Sequence, residues 1–229
     1  MEPELLVVTG LLKEARAAQG PGIRTLCSGG DSDRLRGLLE GLDPGKFWGV
    51  VSFGIAGGLD PSLAPGDILV GTGVSFGDIR HSAQNRLSDA LSDHLRTRHG
   101  HVGTADFAGS DSAVIRIEDK AALRTRTGAG AVDMESHVVA EWAARHGLLF
   151  SILRVVSDPA HRALPALATE ALKPDGRVDV RRVLVGLARR PRQLRALTDA
   201  GRDARAAFSS LGRCRGLLGP FLRLGFAEL

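Results

Sequence analysis

Three carboxyl side chains and one glycine stand at positions of this sequence where chemistry could be done. Glu14, Glu135 and Asp158 each follow closely on an apolar segment that is predicted to be a strand, and Gly57 follows another. Parallel strands bring such positions to one edge of a sheet, where α/β proteins bind their ligands. The spacing therefore predicts one ligand site lined by carboxylates.

Each acidic residue also has an ordinary structural explanation when it is taken singly. Asp158 precedes Pro159, and this pair is favoured at the start of a helix. A lone glutamate such as Glu14 is usually a solvated helix residue. Asp133 is best explained as a helix cap, whereas for Glu135 a place in the first helical turn and a functional role are equally supported.

A glycine-rich run and an arginine complete the candidate residues. The run Gly54–Gly58 matches neither a dinucleotide-binding motif nor a P-loop, and alone it is better explained as a turn. Arg154 lies in an otherwise apolar strand, where a charged side chain needs a partner. Cys27, Cys214 and the histidines have no metal-ligand spacing, so we expect no metal.

The alternation of apolar runs and amphipathic segments predicts an α/β domain in which a mixed sheet holds these residues. Strands are predicted at 5–9, 23–28, 47–53, 67–75, 102–107, 131–133 and 148–156. Helices are predicted at 12–18, 33–41, 88–98, 117–127 and 134–146. The composition, 43% hydrophobic and 24% charged, is typical of a soluble globular protein, and no apolar run is long enough to span a membrane. We therefore expect a cytoplasmic location.

Residues 176–229 differ in composition from residues 1–175 and are interpreted as a helical, amphipathic extension of the same domain. They carry 12 arginines against four acidic residues. One helical face is formed by Leu197, Gly201, Ala204, Phe208 and Leu211. This charge and the apolar residues 217–226 fit peripheral contact with the inner membrane surface or a solvated face equally well. Nucleic acid is not expected as a partner, because the chain has no tyrosine and no RNA-binding motif.

Three motifs, in this order and spacing, resemble the nucleoside phosphorylase family, which includes purine nucleoside phosphorylases and methylthioadenosine/S-adenosylhomocysteine nucleosidases. They are Gly54–Leu59 with Pro65–Val70, Val132–Glu135, and Arg154–Asp158. The longer strings Thr9–Arg16 and Ser52–Pro61 resemble the hopanoid-associated phosphorylase branch, which acts on adenosylhopane. The resemblance implies a three-layer α/β/α fold with a central mixed, twisted sheet, a catalytic domain over residues 1–175, and a homodimer.

By this resemblance, the protein cleaves the N-ribosyl bond of a purine nucleoside through an oxocarbenium-like transition state. Asp158 would be the general acid that protonates purine N7, Glu135 would hold the ribose hydroxyls, and Met134 would pack on the sugar. Further substrate contacts are implied for Ala56, Gly57, Ala113 and Val114. The leading substrate hypothesis is adenosylhopane, a purine nucleoside with a hydrophobic 5′ substituent.

The resemblance leaves the nucleophile open between water and phosphate. Glu14 matches the water-activating carboxylate of the nucleosidases, with Arg154 beside it, and a carboxylate there would repel a phosphate dianion. Ser52 replaces an arginine that phosphorylases carry, whereas Ile55 replaces a serine that nucleosidases carry. Phosphate contacts remain available from Lys13, Arg16 and Arg154. Phosphate would then be a co-substrate, and no other cofactor is expected.

Two alternatives stand beside this hypothesis. The substrate could be methylthioadenosine, S-adenosylhomocysteine or another purine nucleoside. In another class, the protein would be a nucleoside-binding module without catalysis. Such a module has no need to keep Glu14, Asp158 and Arg154 together, so these residues favour an enzyme.

Overall fold

The computed structural model describes residues 3–84, 88, 102–165, 167, 176, 177, 179, 181, 185 and 193–214. Its strands are β1 (Glu4–Thr9), β2 (Ile23–Cys27), β3 (Phe47–Gly58), β4 (Ile68–Phe76), β5 (Ile79–Ser82), β6 (Val102–Gly109), β7 (Ala131–Asp133) and β8 (Leu149–Asp158). Its helices are α1 (Leu12–Ala18), α2 (Ser32–Glu40), α3 (Ile117–Thr127), α4 (Ser136–His146) and α5 (Leu194–Cys214), with a short 3-10 turn at Pro44–Lys46. Of the helix predicted at 88–98, only Ser88 lies within the described residues, and the apolar residues 217–226 lie outside them.

The strands form one mixed sheet, as predicted. β1 pairs in parallel with β2 and β3, and β3 pairs in parallel with β8. Antiparallel pairings join β3 to β7, β4 to β5, and β4 to β8. Because β6 also pairs with β4 and β7, the strands β3, β8, β4, β6 and β7 close into a ring. β3 and β8, which carry the glycine-rich run and Arg154, therefore lie in the centre of the sheet.

Helices cover both faces of the sheet, which confirms the three-layer architecture. On one face, α2 and α4 pack in a buried cluster with Ile152 and Val156 of β8. On the other face, α1 and α5 pack with Leu153 and Val155. Side chains alternate along a strand, so Arg154 shares the α4 face with Ile152 and Val156.

The glycine-rich run is part of a strand, so its interpretation as a turn is wrong. β3 continues through Gly58, because β8 pairs with it over this whole stretch. In the register of this pairing, Gly54 lies opposite Arg154 and Gly57 lies opposite Asp158. The two strands therefore present these four residues side by side.

The interpretation of Asp158 as a helix cap is also wrong. Asp158 is the last residue of β8, and residues 159–165 form a turn and irregular structure rather than a helix. By contrast, the Asp133 carboxylate accepts hydrogen bonds from the N–H groups of Glu135 and Ser136 at the start of α4. The Asp133 carboxylate thus binds the backbone at the helix start as predicted, but the N-cap residue is Glu135, and α4 begins at Ser136 rather than at Met134.

Helix α5 is amphipathic as predicted, but its buried face differs from the predicted one. The buried residues of the helix are Asp203, Ala207, Ser210, Leu211 and Cys214. Gly201 is exposed. The small side chains of Ala207 and Ser210 let the helix approach the sheet closely, beside Gly66.

The division of the chain at residue 175 stays a prediction. No helix within the described residues is long and apolar enough to cross a bilayer.

Candidate active site

Glu14 is buried and accepts three backbone hydrogen bonds, so its interpretation as a solvated helix residue is wrong. It lies in the first turn of α1, and its Oε2 atom accepts the N–H groups of Gly10 at 2.9 Å and Leu11 at 2.7 Å. Its Oε1 atom accepts the N–H of Ile55 on β3 at 2.9 Å. Burial, together with the nearby charge of Glu135, raises the pKa of Glu14 to about 7, although Arg154 and the N–H groups of Ile55 and Leu11 oppose the rise.

Arg154 is buried and makes contacts on several sides of its guanidinium group. Its Nη2 atom donates to Ser52 Oγ at 2.6 Å and to Glu135 Oε2 at 3.1 Å. Its Nη1 atom donates to the carbonyl of Ile55 at 3.3 Å, and its Nε atom lies 3.3 Å from Asp133 Oδ2. Arg154 thus has the partners that a charged side chain in an apolar strand requires.

Three carboxylates share this one guanidinium group. Burial acts against the charge of Arg154, but the nearby Asp133, Glu135 and Glu14 outweigh it and raise the pKa of Arg154. Burial also raises the pKa of Glu135, against the attraction of Arg154. The cluster carries more acidic groups than basic ones, so a proton held among the carboxyl groups relieves their repulsion.

Glu135 connects the end of β7 with the loop after β2. Its Oε1 atom accepts the hydroxyl of Ser28 at 3.2 Å, while Oε2 accepts Arg154. A Cβ atom at Gly10 would come within 2.6 Å of Oε1 of Glu135, so only glycine leaves room for this carboxylate. The buried position and charged partner favour a functional role for Glu135 over a simple place in the first helical turn.

Ser52 and Ser136 form a hydrogen-bonded pair next to Arg154 that was not predicted from the sequence. The hydroxyls of Ser136 and Ser52 lie 2.9 Å apart, and Ser136 donates to Asp133 Oδ2 at 2.5 Å. Both serines are buried. Ser52 therefore supports an arginine that comes from β8.

Asp158 lies at the other end of the glycine-rich run. Its Oδ1 atom accepts the hydroxyl of Ser157 at 2.6 Å, and its Oδ2 atom lies 2.5 Å from Nζ of Lys120. Burial raises the pKa of Asp158, while Lys120 and Ser157 lower it. A Cβ atom at Gly57 would be 3.2 Å from Oδ2 of Asp158, so this glycine also fits the close approach of a carboxylate.

Lys120 is a polar member of the site that the sequence analysis missed. It lies on α3 and is completely buried. The sequence held one indication that Lys120 is buried. Lys120 lies three residues before Leu123, positions i and i+3 share a helical face, and Leu123 is buried. A lysine in an amphipathic helix is usually solvated, so this spacing alone does not predict a buried lysine.

The two groups of polar residues lie at two points along β3. Gly54 approaches Glu14 and Arg154, and Gly57 approaches Asp158, three residues further on. At the rise of a strand, this separates the two points by roughly 10 Å. Two buried carboxyl groups, each with a pKa that burial raises, are thus held at either end of one short stretch of backbone.

The remaining predicted contacts lie around this stretch. Ala56 is buried on β3, and Met134 is half-buried between β7 and α4. Ala113 and Val114 are half-buried in the segment after β6. Val114 packs against the cluster that contains Val132 and lines a pocket of about 370 Å³ between α3 and the ends of β4 and β6.

Lys13 and Arg16 do not join the cluster around Arg154. Both side chains are exposed on α1. The Nζ atom of Lys13 lies 3.9 Å from the centre of the Phe208 ring on α5, which is a cation–π contact. The suggestion that these two residues contact phosphate at the site is therefore not supported by their positions.

The chain matches a known protein family by sequence and known structures by fold. A family model described as the phosphorylase superfamily matches residues 42–183, which is more than half of the chain. No curated protein matches the sequence. The fold is similar to that of Helicobacter pylori 5′-methylthioadenosine/S-adenosylhomocysteine nucleosidase, with a TM-score of 0.69, 16% identity and 99% of both chains covered.

Two further solved structures are similar over most of their length. One is a 5′-methylthioadenosine/S-adenosylhomocysteine nucleosidase from Colwellia psychrerythraea in complex with adenine, with a TM-score of 0.63, 19% identity, and 82% of this chain and 96% of that chain covered. The other is futalosine hydrolase of Helicobacter pylori, with a TM-score of 0.61, 17% identity, and 69% of this chain and 88% of that chain covered. At these identities the similarity shows the fold.

Proposed function

Because this chain belongs to the phosphorylase superfamily, we propose that it is a nucleosidase, which cleaves the N-ribosyl bond of a purine nucleoside with water as the nucleophile. The observation that carries the proposal is the buried carboxylate of Glu14, which three backbone N–H groups hold beside Arg154. Its pKa of about 7 suits a general base at neutral pH, since the best catalytic pKa lies near the working pH.

The charges around Arg154 favour water over phosphate. A phosphate dianion needs cations or N–H donors that are free to turn towards it. Here Asp133, Glu135 and Glu14 already surround the guanidinium group of Arg154, and its Nη atoms donate within the protein. A dianion would add to an excess of negative charge, whereas a neutral water molecule would not.

The roles of the residues follow from the chemistry of this bond. Water attacks the anomeric carbon and gives a proton to Glu14, while the bond from that carbon to the base breaks. Asp158 in its protonated form donates a proton to N7 of the leaving purine. Glu135 holds the ribose hydroxyls and Met134 packs on the sugar. The products are a free base and a sugar with a hydroxyl on its anomeric carbon.

We propose that the base is recognised along β3 and by the segment after β6. Gly57 lies at the end of the site that contains Asp158, and Ala56 lies next to it towards Gly54. Ala113 and Val114 would contribute backbone contacts to the purine. Adenosylhopane is the proposed substrate, because the strings around Glu14 and the glycine-rich run resemble the hopanoid branch. A homodimer and membrane contact through residues 176–229 belong to the same proposal.

Product analysis tests this function. The purified full-length protein is incubated separately with adenosylhopane, methylthioadenosine, S-adenosylhomocysteine and futalosine, each with and without phosphate, in water enriched in oxygen-18. We expect base release without phosphate and one heavy oxygen in the sugar product, with adenosylhopane as the best substrate. A sugar 1-phosphate would contradict hydrolysis. Failure to release a base from any of these compounds would support the binding module instead.

A further inference from the structure

Lys120 presents all of its hydrogen-bonding capacity to the end of the site that contains Asp158. Its Nζ atom lies 2.5 Å from Asp158 Oδ2, 3.0 Å from the carbonyl of Pro159 and 3.1 Å from the carbonyl of Arg162. An ammonium group has three N–H donors and no acceptor. The three surrounding oxygens therefore match the charged form of Lys120 completely.

Stability alone does not account for a buried pair of this kind. Lys120 is completely buried and Asp158 nearly so. The free-energy cost of removing two charges from water is large. Replacing a buried ion pair by well-packed apolar residues of similar volume therefore often leaves a protein equally stable or more stable. This pair also lies beside β3, along which the base is proposed to bind, since Oδ2 of Asp158 approaches Gly57. Its position points to a role in the chemistry.

We propose that Lys120 is the positioning residue of the general acid: it fixes the Asp158 carboxyl and holds the negative charge left there when the proton has moved to the departing base. This inference rests on the proposed function. During the step, the O–H bond of Asp158 breaks and an N–H bond forms on the base. Lys120 keeps its three protons throughout, and Asp158 regains a proton from solvent after the products leave.

The geometry explains how Lys120 favours the transition state. A hydrogen bond from an ammonium group to a carboxylate is about twice as strong as one between neutral groups. The bond from Lys120 therefore strengthens as charge develops on Asp158, and interactions of this kind lower the barrier. Because Lys120 also binds the carbonyls of Pro159 and Arg162, the same side chain fixes the turn that follows Asp158.

The groups that face Asp158 come from three elements. Lys120 approaches from α3, and Ser157 from β8 itself. Asp203 on α5 acts on Asp158 through its charge, but Asp203 is paired with Arg162. Burial raises the pKa of Asp158 and Lys120 is the foremost of the causes that lower it. Loss of the ammonium group must therefore raise that pKa further.

The first test replaces Lys120 with an uncharged side chain of similar length. In Lys120→Met, we expect the alkaline limb of kcat/KM to move upwards by roughly 1–3 pH units, which is the usual effect of one adjacent opposite charge on an aspartate. We expect kcat at neutral pH to fall by about tenfold or more, because the donor is a weaker acid, with a smaller change in KM. Lys120→Arg, which restores a cation, should move the limb back.

Arg124→Met is the matched control. Arg124 lies one turn further along α3, and its partner Asp60 is at the surface. Its removal should leave the pH profile unchanged. A Lys120→Met protein that is folded, less stable and unshifted in its pH profile would overturn the proposal, because Lys120 would then only brace the turn.

A second variant and a spectroscopic measurement cover the case in which Lys120→Met does not fold. Lys120→Gln keeps two N–H donors for the buried oxygens but has no charge. The carboxyl carbon signal of Asp158, identified by its loss in Asp158→Asn, is titrated by NMR in this variant and in the wild type. We expect an upward shift of its midpoint. An unchanged midpoint would overturn the role of Lys120, whereas a shifted midpoint in a protein that releases no base would overturn the proposed function.

Discussion

The backbone N–H of Ile55 donates a 2.9 Å hydrogen bond to Oε1 of Glu14, and this contact joins α1 to β3. It uses only the backbone of residue 55, so the serine side chain that the resemblance to the nucleosidases implies at this position is not needed to hold the glutamate. The isoleucine side chain leaves this hydrogen bond in place. The departure from the implied pattern therefore does not weaken the proposal that Glu14 is the base.

Glu14→Gln should reduce base release by about a hundredfold or more, because an amide cannot take a proton from water. The amide oxygen can still accept some of the three backbone N–H groups, so we expect a folded protein. Steady-state rates with and without phosphate provide the measurement, and Glu40→Gln, at an exposed carboxylate of α2, is the control. A variant whose rate is restored by phosphate would contradict hydrolysis.

The same residue should make the protein less stable as the pH rises from 4.5 to about 7. Between these values the folded state holds a proton on Glu14 that the unfolded state has lost, so the free energy of unfolding falls with rising pH. The raised pKa of Glu14 corresponds to about 3 kcal/mol over this range. Urea denaturation across this pH range measures the free energy of unfolding. This free energy should change less with pH in Glu14→Gln than in the wild type, and an equal pH dependence in the two proteins would argue against the raised pKa.

Asp158→Asn should slow base release by more than about a hundredfold, since the amide is not an acid. Circular dichroism should show that the fold is retained, because the amide oxygen can still accept from Lys120 while the amide NH2 group donates to the hydroxyl oxygen of Ser157. Asp119→Asn, at an exposed acidic residue beside Lys120 on α3, is the matched control and should retain activity. Near-normal turnover in a folded Asp158→Asn protein would disprove the assignment of the acid.

The sequence predicts the elements better than the partnerships between them. The bounds of α1 and α3 and the existence of every described strand except β5 follow from local periodicity and from glycine and proline punctuation. No strand was predicted at Ile79–Ser82, which forms β5 by antiparallel pairing with β4. Local periodicity does not predict the extension of β3 through its glycines, because glycine is a poor strand former and the pairing comes from β8. Lys120 escaped notice for a similar reason, since its partner Asp158 is 38 residues away.

The C-terminal region should bind anionic liposomes in a salt-dependent manner if its proposed membrane contact is correct. α5 buries one face against β8 and exposes Arg195, Arg202, Arg205 and Arg213. Attraction of about 1 kcal/mol per basic residue near an anionic surface would suffice for adsorption at low salt. Flotation with anionic and neutral liposomes at low and high salt measures this. A chain ending at Arg213 tests whether the final apolar residues contribute, and full-length protein that ignores anionic liposomes at low salt would rule the contact out.

Gly54→Ala should damage both stability and activity, because its added methyl group meets the centre of the site. The Cβ atom would lie 2.7 Å from the carboxyl carbon of Glu14 and from Nη1 of Arg154. Both side chains are buried, so neither can move away freely, and overpacking of this kind costs about 1–3 kcal/mol. A small displacement of Glu14 from the attacking water should also lower kcat by about a hundredfold. Gly37→Ala is the matched control: it lies in α2 with nothing within 4 Å of the new methyl group, and alanine is the better helix former. Thermal denaturation and turnover of the two variants make the comparison. Equal stability and full activity in Gly54→Ala would show that Glu14 and Arg154 are not held as closely against β3 as the structure describes.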